Sequence, residues 1–199
     1  MAPLRQRATK KNAATKGTDK RTRIVNTAAR LVHENGFAAT SLADIARESA
    51  VPLGNFYYYF KTKDAIGEAL VEKASEAAAT LRATWEATLE PRERILAFIQ
   101  ESIDTRESIA RSGCPVGSLC SELHKEPGPL AKQAASLFAD FLKWLEVQFR
   151  LLGQGAESRE HAFQLVCSLQ GASLLANTFH DTRQLTRECN RLKEWVKSL

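Results

Sequence analysis

Residues 40–63 read TSLADIARESAVPLGNFYYYFKTK. Ser41 is a good helix N-cap, and Asp44 three residues on completes a variant of the capping box. Leu42, Ile45 and Ala46 then share one inward side. A break is expected at Ser49-Ala50-Val51. Pro52 suits the first turn of the next helix, Leu53–Phe60. Two short helices joined by a tight turn outline a helix-turn-helix. Between Ala50 and Lys63 there is no Asp or Glu, but there are Asn55, three tyrosines and two lysines. A helix lying between two rows of phosphates must be free of acids. Tyrosine hydroxyls and lysine ammoniums donate to phosphate, and Asn55 can read a base edge, typically adenine. Gly54 lets backbone come close to a partner. Phe56 and Phe60 read as core, and Tyr58 as a solvent-exposed side chain.

Upstream, Ile24, Ala28, Leu31 and Val32 recur at helical spacing. They predict a helix from Thr18 or Asp19 to Asn35-Gly36, with Phe37 as an apolar plug behind the stop. Residues 1–18 hold almost no large apolar side chains and read as a disordered basic arm. Downstream, Thr62 caps a long helix from Lys63 to about Leu89. Further divisions fall at Pro91, Gly113-Cys114-Pro115, Pro127-Gly128-Pro129, Gly153-Gln154-Gly155 and about His180-Asp181-Thr182. After Pro129, Leu130, Ala134, Leu137, Phe138, Phe141, Leu142, Leu145 and Phe149 follow helical periodicity closely. The expectation is an all-α fold of about nine helices. A three-helix helix-turn-helix domain (19–65) precedes a helical bundle (66–199).

The net charge of +5 over 199 residues hides an asymmetry. Through Lys63 there are twelve bases and four acids, a net of +8; the remainder holds sixteen bases and nineteen acids, a net of −3. A basic first third on a slightly acidic body points to a polyanion bound at one end. There is no run of about 18 apolar residues to span a bilayer. The chain stays polar to Arg23, without the apolar stretch of a secretory signal, so the expected location is cytoplasmic, with no membrane partner. Cys114, Cys120, Cys167 and Cys189 have no zinc-like spacing, so neither metal nor other cofactor is expected. An enzyme using a cysteine nucleophile, with His33, His124, His161 or His180 as base, has no local motif in its favour.

The run from Thr40 to Lys63, with Ala28-Ala29-Arg30-Leu31 and Gly36-Phe37 upstream, resembles the TetR-family DNA-binding signature. The resemblance covers about residues 20–70. It implies that Thr40 contacts phosphate before the second helix. It places Pro52, Leu53, Gly54 and Asn55 near bases, gives Tyr57 and Tyr59 to the backbone or to packing, and gives Lys63 a phosphate. Pro52 departs from the usual Ser or Thr, so one side-chain hydroxyl is missing.

The resemblance also implies a homodimer on a palindromic double-stranded operator. The last two helices, about 158–179 and 182–198, would form the interface, with Leu165, Leu169, Ala172, Leu192 and Trp195 as members. Intramolecular core is the other reading of those residues. An effector pocket is expected from Trp85, Phe98, Phe141, Trp144 and Phe163, with polar points at His124 and Gln170. Such a pocket suits a small apolar or aromatic effector. The stretch Gly113-Cys114-Pro115-Val116-Gly117-Ser118-Leu119 resembles a Gly-Cys-x-x-Gly-x-Leu element of one TetR subgroup, which includes regulators of multidrug efflux and electrophile-response genes. It brings Cys114 and Leu119 into the pocket set. A thiol at a helix start gains from free amides and the helix dipole. The expected function is a ligand-responsive repressor. The alternatives are a thiol-based sensor using Cys114, an architectural nucleic-acid binder without a cavity, and an activator.

Overall fold

The computed structural model describes residues 4–125 and 127–199, with side chains from Asp19 onward. Among the described residues it holds ten α-helices: α1 (Leu4–Asn35), α2 (Leu42–Glu48), α3 (Leu53–Tyr59), α4 (Lys63–Thr88), α5 (Pro91–Asp104), α6 (Arg106–Ser112), α7 (Pro115–Leu123), α8 (Pro129–Leu151), α9 (Ser158–Phe179) and α10 (Thr182–Ser198). A short 3₁₀ turn, Gly155–Glu157, precedes α9. There is no strand among the described residues.

Two starts differ from expectation. The backbone of α1 is helical from Leu4, so the helix is not capped at Thr18 or Asp19. Ala, Lys, Arg and Gln dominate that stretch and favour helix. The first three residues of the expected arm, and the side chains of the rest, lie outside the described residues. The tenth helix arises from a break at Thr105. Its hydroxyl donates to the Glu101 carbonyl at 2.7 Å, and Arg106 donates to the Ile103 carbonyl at 2.9 Å. These bonds end α5 where periodicity alone would run on to Ser112.

The chain divides into two compact units, 1–70 and 71–199, and the division falls inside α4. In the first, Ile24, Ala28, Leu31 and Val32 of α1 are buried with Ile45 and Ala46 of α2, Phe56 of α3 and Phe60. Ser41 caps α2 as expected. Its hydroxyl accepts the Asp44 N–H at 3.1 Å, and the Asp44 carboxylate accepts the Ser41 N–H at 3.2 Å. The Ser41 hydroxyl also donates to the Asp44 carboxylate at 2.5 Å, and this bond first, then the Ser41 N–H and Arg47, hold the Asp44 carboxyl below the ordinary aspartate value. The contribution is present above that ordinary value and is lost as pH falls through the lowered one. The α2–α3 turn closes with Ala50 N–H on the Arg47 carbonyl and Val51 N–H on the Ala46 carbonyl, both at 3.1 Å. This is a Schellman-type ending with Ala50 at φ 52, where glycine is usual.

The second unit is a helical bundle. Its core joins Ile95 and Ile99 of α5, Ile109 of α6, and Leu145 and Phe149 of α8. Leu165, Leu169, Ala172 and Ala176 of α9 and Leu185, Cys189, Leu192 and Val196 of α10 complete it. The outer face of α10 is polar, with Arg183, Arg187, Asn190, Arg191 and Glu194 exposed.

Phe56→Ala and Phe149→Ala each remove a fully buried ring and should cost about 3–5 kcal/mol of their own unit's stability in urea titrations. Ala50→Gly should instead stabilise the first unit by up to about 1 kcal/mol, because a Cβ is disfavoured at positive φ.

Candidate functional site

The helix α3 has seven residues, too short to persist alone in water. It is held by Phe56, which is 0 % exposed and packs against Phe60 with ring centroids 6.1 Å apart. With that side anchored, Pro52, Leu53, Gly54, Asn55, Tyr57 and Tyr58 are left exposed, and Tyr59 half-buried. Tyr58, 82 % exposed, stacks edge-on against Tyr59 at 5.2 Å. A Cβ on Gly54 would meet nothing within 4 Å. The chain's own packing therefore does not require glycine there. An open concavity of about 370 Å³ lies at the elbow, lined by Ala43, Ala46, Arg47, Ala50, Val51, Pro52 and Leu53.

Two expected phosphate-contact residues have internal partners. Thr40 is buried, and its hydroxyl donates to the Gly36 carbonyl at 2.8 Å. A phosphate contact from that hydroxyl would require this bond to be exchanged. Lys63 donates to the Ala38 carbonyl at 2.8 Å and lies 5.0 Å from the centre of the Phe37 ring. An ammonium has three donors, so others remain for phosphate. Sequence reasoning passed over Lys61 as a site residue, although it is exposed between Phe60 and Lys63. The arginines nearby are engaged: Arg30 with Glu34 at 2.9 Å, and Arg47 with Asp44 at 2.9 Å.

In the second unit, four of the expected pocket residues come together. The Trp85 and Trp144 rings are 5.8 Å apart, Phe98 and Phe141 5.6 Å, and Phe98 and Trp144 6.1 Å. The Trp144 indole N–H donates to the Glu86 carboxylate at 2.6 Å. Arg94 fastens the end of α4. It donates to the carbonyls of Leu89 at 2.8 Å and Glu86 at 3.2 Å, and to the Gln148 side chain at 3.2 Å. Sequence reasoning missed Arg94, since nothing local separates it from other helix-start arginines.

The Gly-Cys-x-x-Gly-x-Leu stretch forms a second cluster. Cys114 is the N-cap of α7, and its sulfur accepts the Gly117 N–H at 3.5 Å. Gln170 of α9 donates its amide to the same sulfur at 3.5 Å. A Cβ on Gly117 would lie 2.4 Å from the Gln170 carbonyl oxygen, so that glycine makes room for Gln170. Leu119 is buried on α7. Burial pushes the Cys120 and Cys189 thiols up to about 11.

Three expectations need correction. His124 is exposed at the C-cap of α7 and is not brought to the aromatic cluster. Phe163 is 54 % exposed on the outer side of α9, because the inner side is already taken by Ala162, Leu165 and Val166. Leu165, Leu169, Ala172 and Leu192 are buried within the single chain, and Trp195 packs 5.7 Å from Phe149. The first four belong to the intramolecular core, and Trp195 is half-buried against it. The exposed apolar residues of α9 are instead Phe163, Leu174, Leu175 and Phe179. The clue in the sequence was that α9 carries apolar residues on two faces.

Comparison with known proteins agrees with this architecture. Residues 24–70 match the family described as bacterial regulatory proteins, tetR family. Residues 91–189 match the LmrA/YxaF-like transcriptional regulator C-terminal domain. The transcriptional regulator LmrA of Bacillus subtilis is 29% identical over 186 residues, covering 90% of this chain and 97% of its own. YxaF, an uncharacterized regulator of the same organism, is 33% identical over 153 residues, covering 74% and 77%. Among solved structures, the reduced form of Escherichia coli NemR superposes with a TM-score of 0.75 at 23% identity, covering 88% of this chain and 96% of that one. No helix is long and apolar enough to cross a membrane among the described residues. Residues 24–70, in which the exposed, acid-free α3 sits on its buried-phenylalanine anchor, thus form the helix-turn-helix part of a DNA-binding transcriptional regulator, and the chain belongs to the TetR family, with an LmrA/YxaF-like C-terminal domain.

Proposed function

We propose that this regulator is a repressor that binds a palindromic operator as a homodimer and is released by a small apolar or aromatic effector. The observation that carries the reading is the exposed side of α3. Asn55 offers paired donor and acceptor for an adenine edge, and Pro52 and Leu53 offer apolar contact to thymine methyls. Tyr57, with Lys61 and Lys63 just beyond the helix, supplies phosphate donors. Tyr59 and Thr40 act mainly by holding the fold around α3. Gly54 keeps the backbone free to approach a base. The carboxylates of Asp44 and Glu48 are drawn toward Arg47, at 2.9 and 3.7 Å.

The dimer face is the outer side of α9. Phe163, Cys167, Gly171, Leu174 and Leu175 are all exposed there at helical spacing. A pair of such faces, with Gly171 open to close approach, suits isologous packing of two copies. The effector cleft is lined by Trp85, Phe98, Phe141 and Trp144. Release requires an effector that prefers the conformation unable to bind DNA.

A second reading attaches to Cys114. It is half-buried, with two N–H donors on its sulfur, whereas Cys120 and Cys189 are buried and protonated at neutral pH. In that reading Cys114 is the sensor of electrophiles or oxidants.

Asn55→Ala should weaken binding to the cognate palindrome by about 1–3 kcal/mol and leave random-sequence DNA unchanged. Lys61→Gln should weaken both alike and reduce the salt slope by about one. Gel shifts across a salt series measure both; equal loss on both DNAs for Asn55→Ala would refute the base-reading role.

Leu174→Arg combined with Phe163→Arg should give a monomer in sedimentation and abolish palindrome binding. A dimer that persists places the interface elsewhere.

After mild quinone or peroxide treatment, mass spectrometry should find Cys114 modified, with operator affinity lost, and Cys120 and Cys189 intact. An unmodified Cys114 with unchanged affinity ends the second reading.

A further inference from the structure

Helix α1 begins at Leu4, yet Ile24 is the first of its described side chains to be buried. Residues 4–23 therefore continue the helix about 30 Å past its enclosed part, at 1.5 Å per residue. By the same measure the seven residues of α3 span about 10 Å. The extension leaves the first unit beside the end of α3. The Arg21 guanidinium lies 5.5 Å from the centre of the Phe60 ring, and the exposed Lys61 follows Phe60.

The charge of this stretch is one-sided. Arg5, Arg7, Lys10, Lys11 and Lys16 are the charged side chains of positions 1–18, and the first acid of the chain is Asp19. Elsewhere the chain sets an acid one turn from a helix base. Arg30 pairs with Glu34 at 2.9 Å, Arg191 with Glu188 at 2.6 Å and Lys197 with Glu194 at 2.7 Å. Arg5, Arg7, Lys10 and Lys11 have no acid within four positions on either side. Arg7 instead has like charges at i+3 and i+4, an arrangement that opposes helix formation in water. A row of phosphates relieves that repulsion and releases counterions in doing so. An acidic lipid surface fits less well, because Leu4 is the only large apolar residue from Leu4 to Thr18 and an interfacial helix needs an apolar face.

We infer that residues 4–18 of α1 are a second DNA-binding element, a basic helical extension that takes phosphates of the duplex in addition to those met around α3. The inference uses only the DNA binding of the family. It needs neither the palindrome, the effector nor the Cys114 reading.

The test measures the full-length protein on a random-sequence duplex of about 40 base pairs, by fluorescence anisotropy across a salt series. One variant carries Arg5→Gln, Arg7→Gln, Lys10→Gln, Lys11→Gln and Lys16→Gln together; glutamine removes charge and keeps helix propensity. A control makes the same change of net charge on the second unit, with the exposed Lys132, Lys143, Arg159, Arg187 and Lys197 each replaced by glutamine. The first variant should bind about tenfold or more weakly at about 100 mM salt, and its slope of log affinity against log salt should fall by about two or more. The control should keep the wild-type slope to within about one half. Adding Lys61→Gln to the first variant should lower the slope by about one more, because different phosphates are involved. The inference is overturned if wild type does not bind the duplex, if the five N-terminal substitutions leave the slope unchanged, if the control lowers it as much, or if Lys61→Gln adds nothing. It is also overturned if wild type binds phosphatidylserine vesicles as tightly as the duplex through the same five bases, which makes the extension a lipid-surface element. Palindrome preference is read separately with Asn55→Ala, so failure of the operator reading and failure of this one are distinguishable. Circular dichroism of each variant confirms that the comparison is made on folded protein.

Discussion

Burial of Phe56 is the constraint on which the exposed side of α3 depends. A seven-residue helix cannot pay its own nucleation cost in water, so α3 exists because one ring on its inner side is wholly enclosed. That enclosure also decides orientation. With Phe56 inside, helical geometry turns Asn55 and Tyr57 outward, and Phe60 closes the following turn. The capping box at Ser41–Asp44 and the left-handed Ala50 fix the direction of the chain on either side of α2. The exposed side chains of α3 are placed by residues packed beneath them.

The second unit uses a comparable arrangement on a larger scale. Helix α9 is apolar on two sides, and the bundle can bury only one of them. Leu165, Leu169, Ala172 and Ala176 are enclosed by α8 and α10, which leaves Phe163, Leu174, Leu175 and Phe179 at the surface. An exposed apolar face of this kind is a common mark of an interaction surface. The end of α4 is held differently, by directional bonds. Arg94 and Trp144 fasten its last turns through carbonyls and a carboxylate, while the middle of the helix is sparsely packed. A helix fixed by a few polar contacts and little buried area has a small energy separating alternative placements.

Much of this was legible in residues 40–63. Cap, break, proline and the acid-free helix are local signals, and the structure places them where local physics puts them. The α4 cap at Thr62, where its hydroxyl accepts the Ala65 N–H at 3.1 Å, is of the same kind. The break at Thr105 was not legible, because a threonine is compatible with helix until its hydroxyl turns back on Glu101. Arg94 and Gln148, 54 residues apart, could not be paired from sequence.

What the sequence by itself determined is the all-α class, the helix-turn-helix and the acid-free character of its outward residues, since helix periodicity, capping and charge are properties of neighbours along the chain. Only the tertiary structure decided which side of α9 is core and which is surface, that Thr40 is enclosed, and that the Trp144 indole reaches Glu86 across 58 positions of sequence. Each of these depends on what a distant segment does. Enclosure by α8 and α10 uses one apolar face of α9, and an indole from α8 occupies Glu86. Periodicity shows that a face is apolar; it does not show which of two such faces other helices cover.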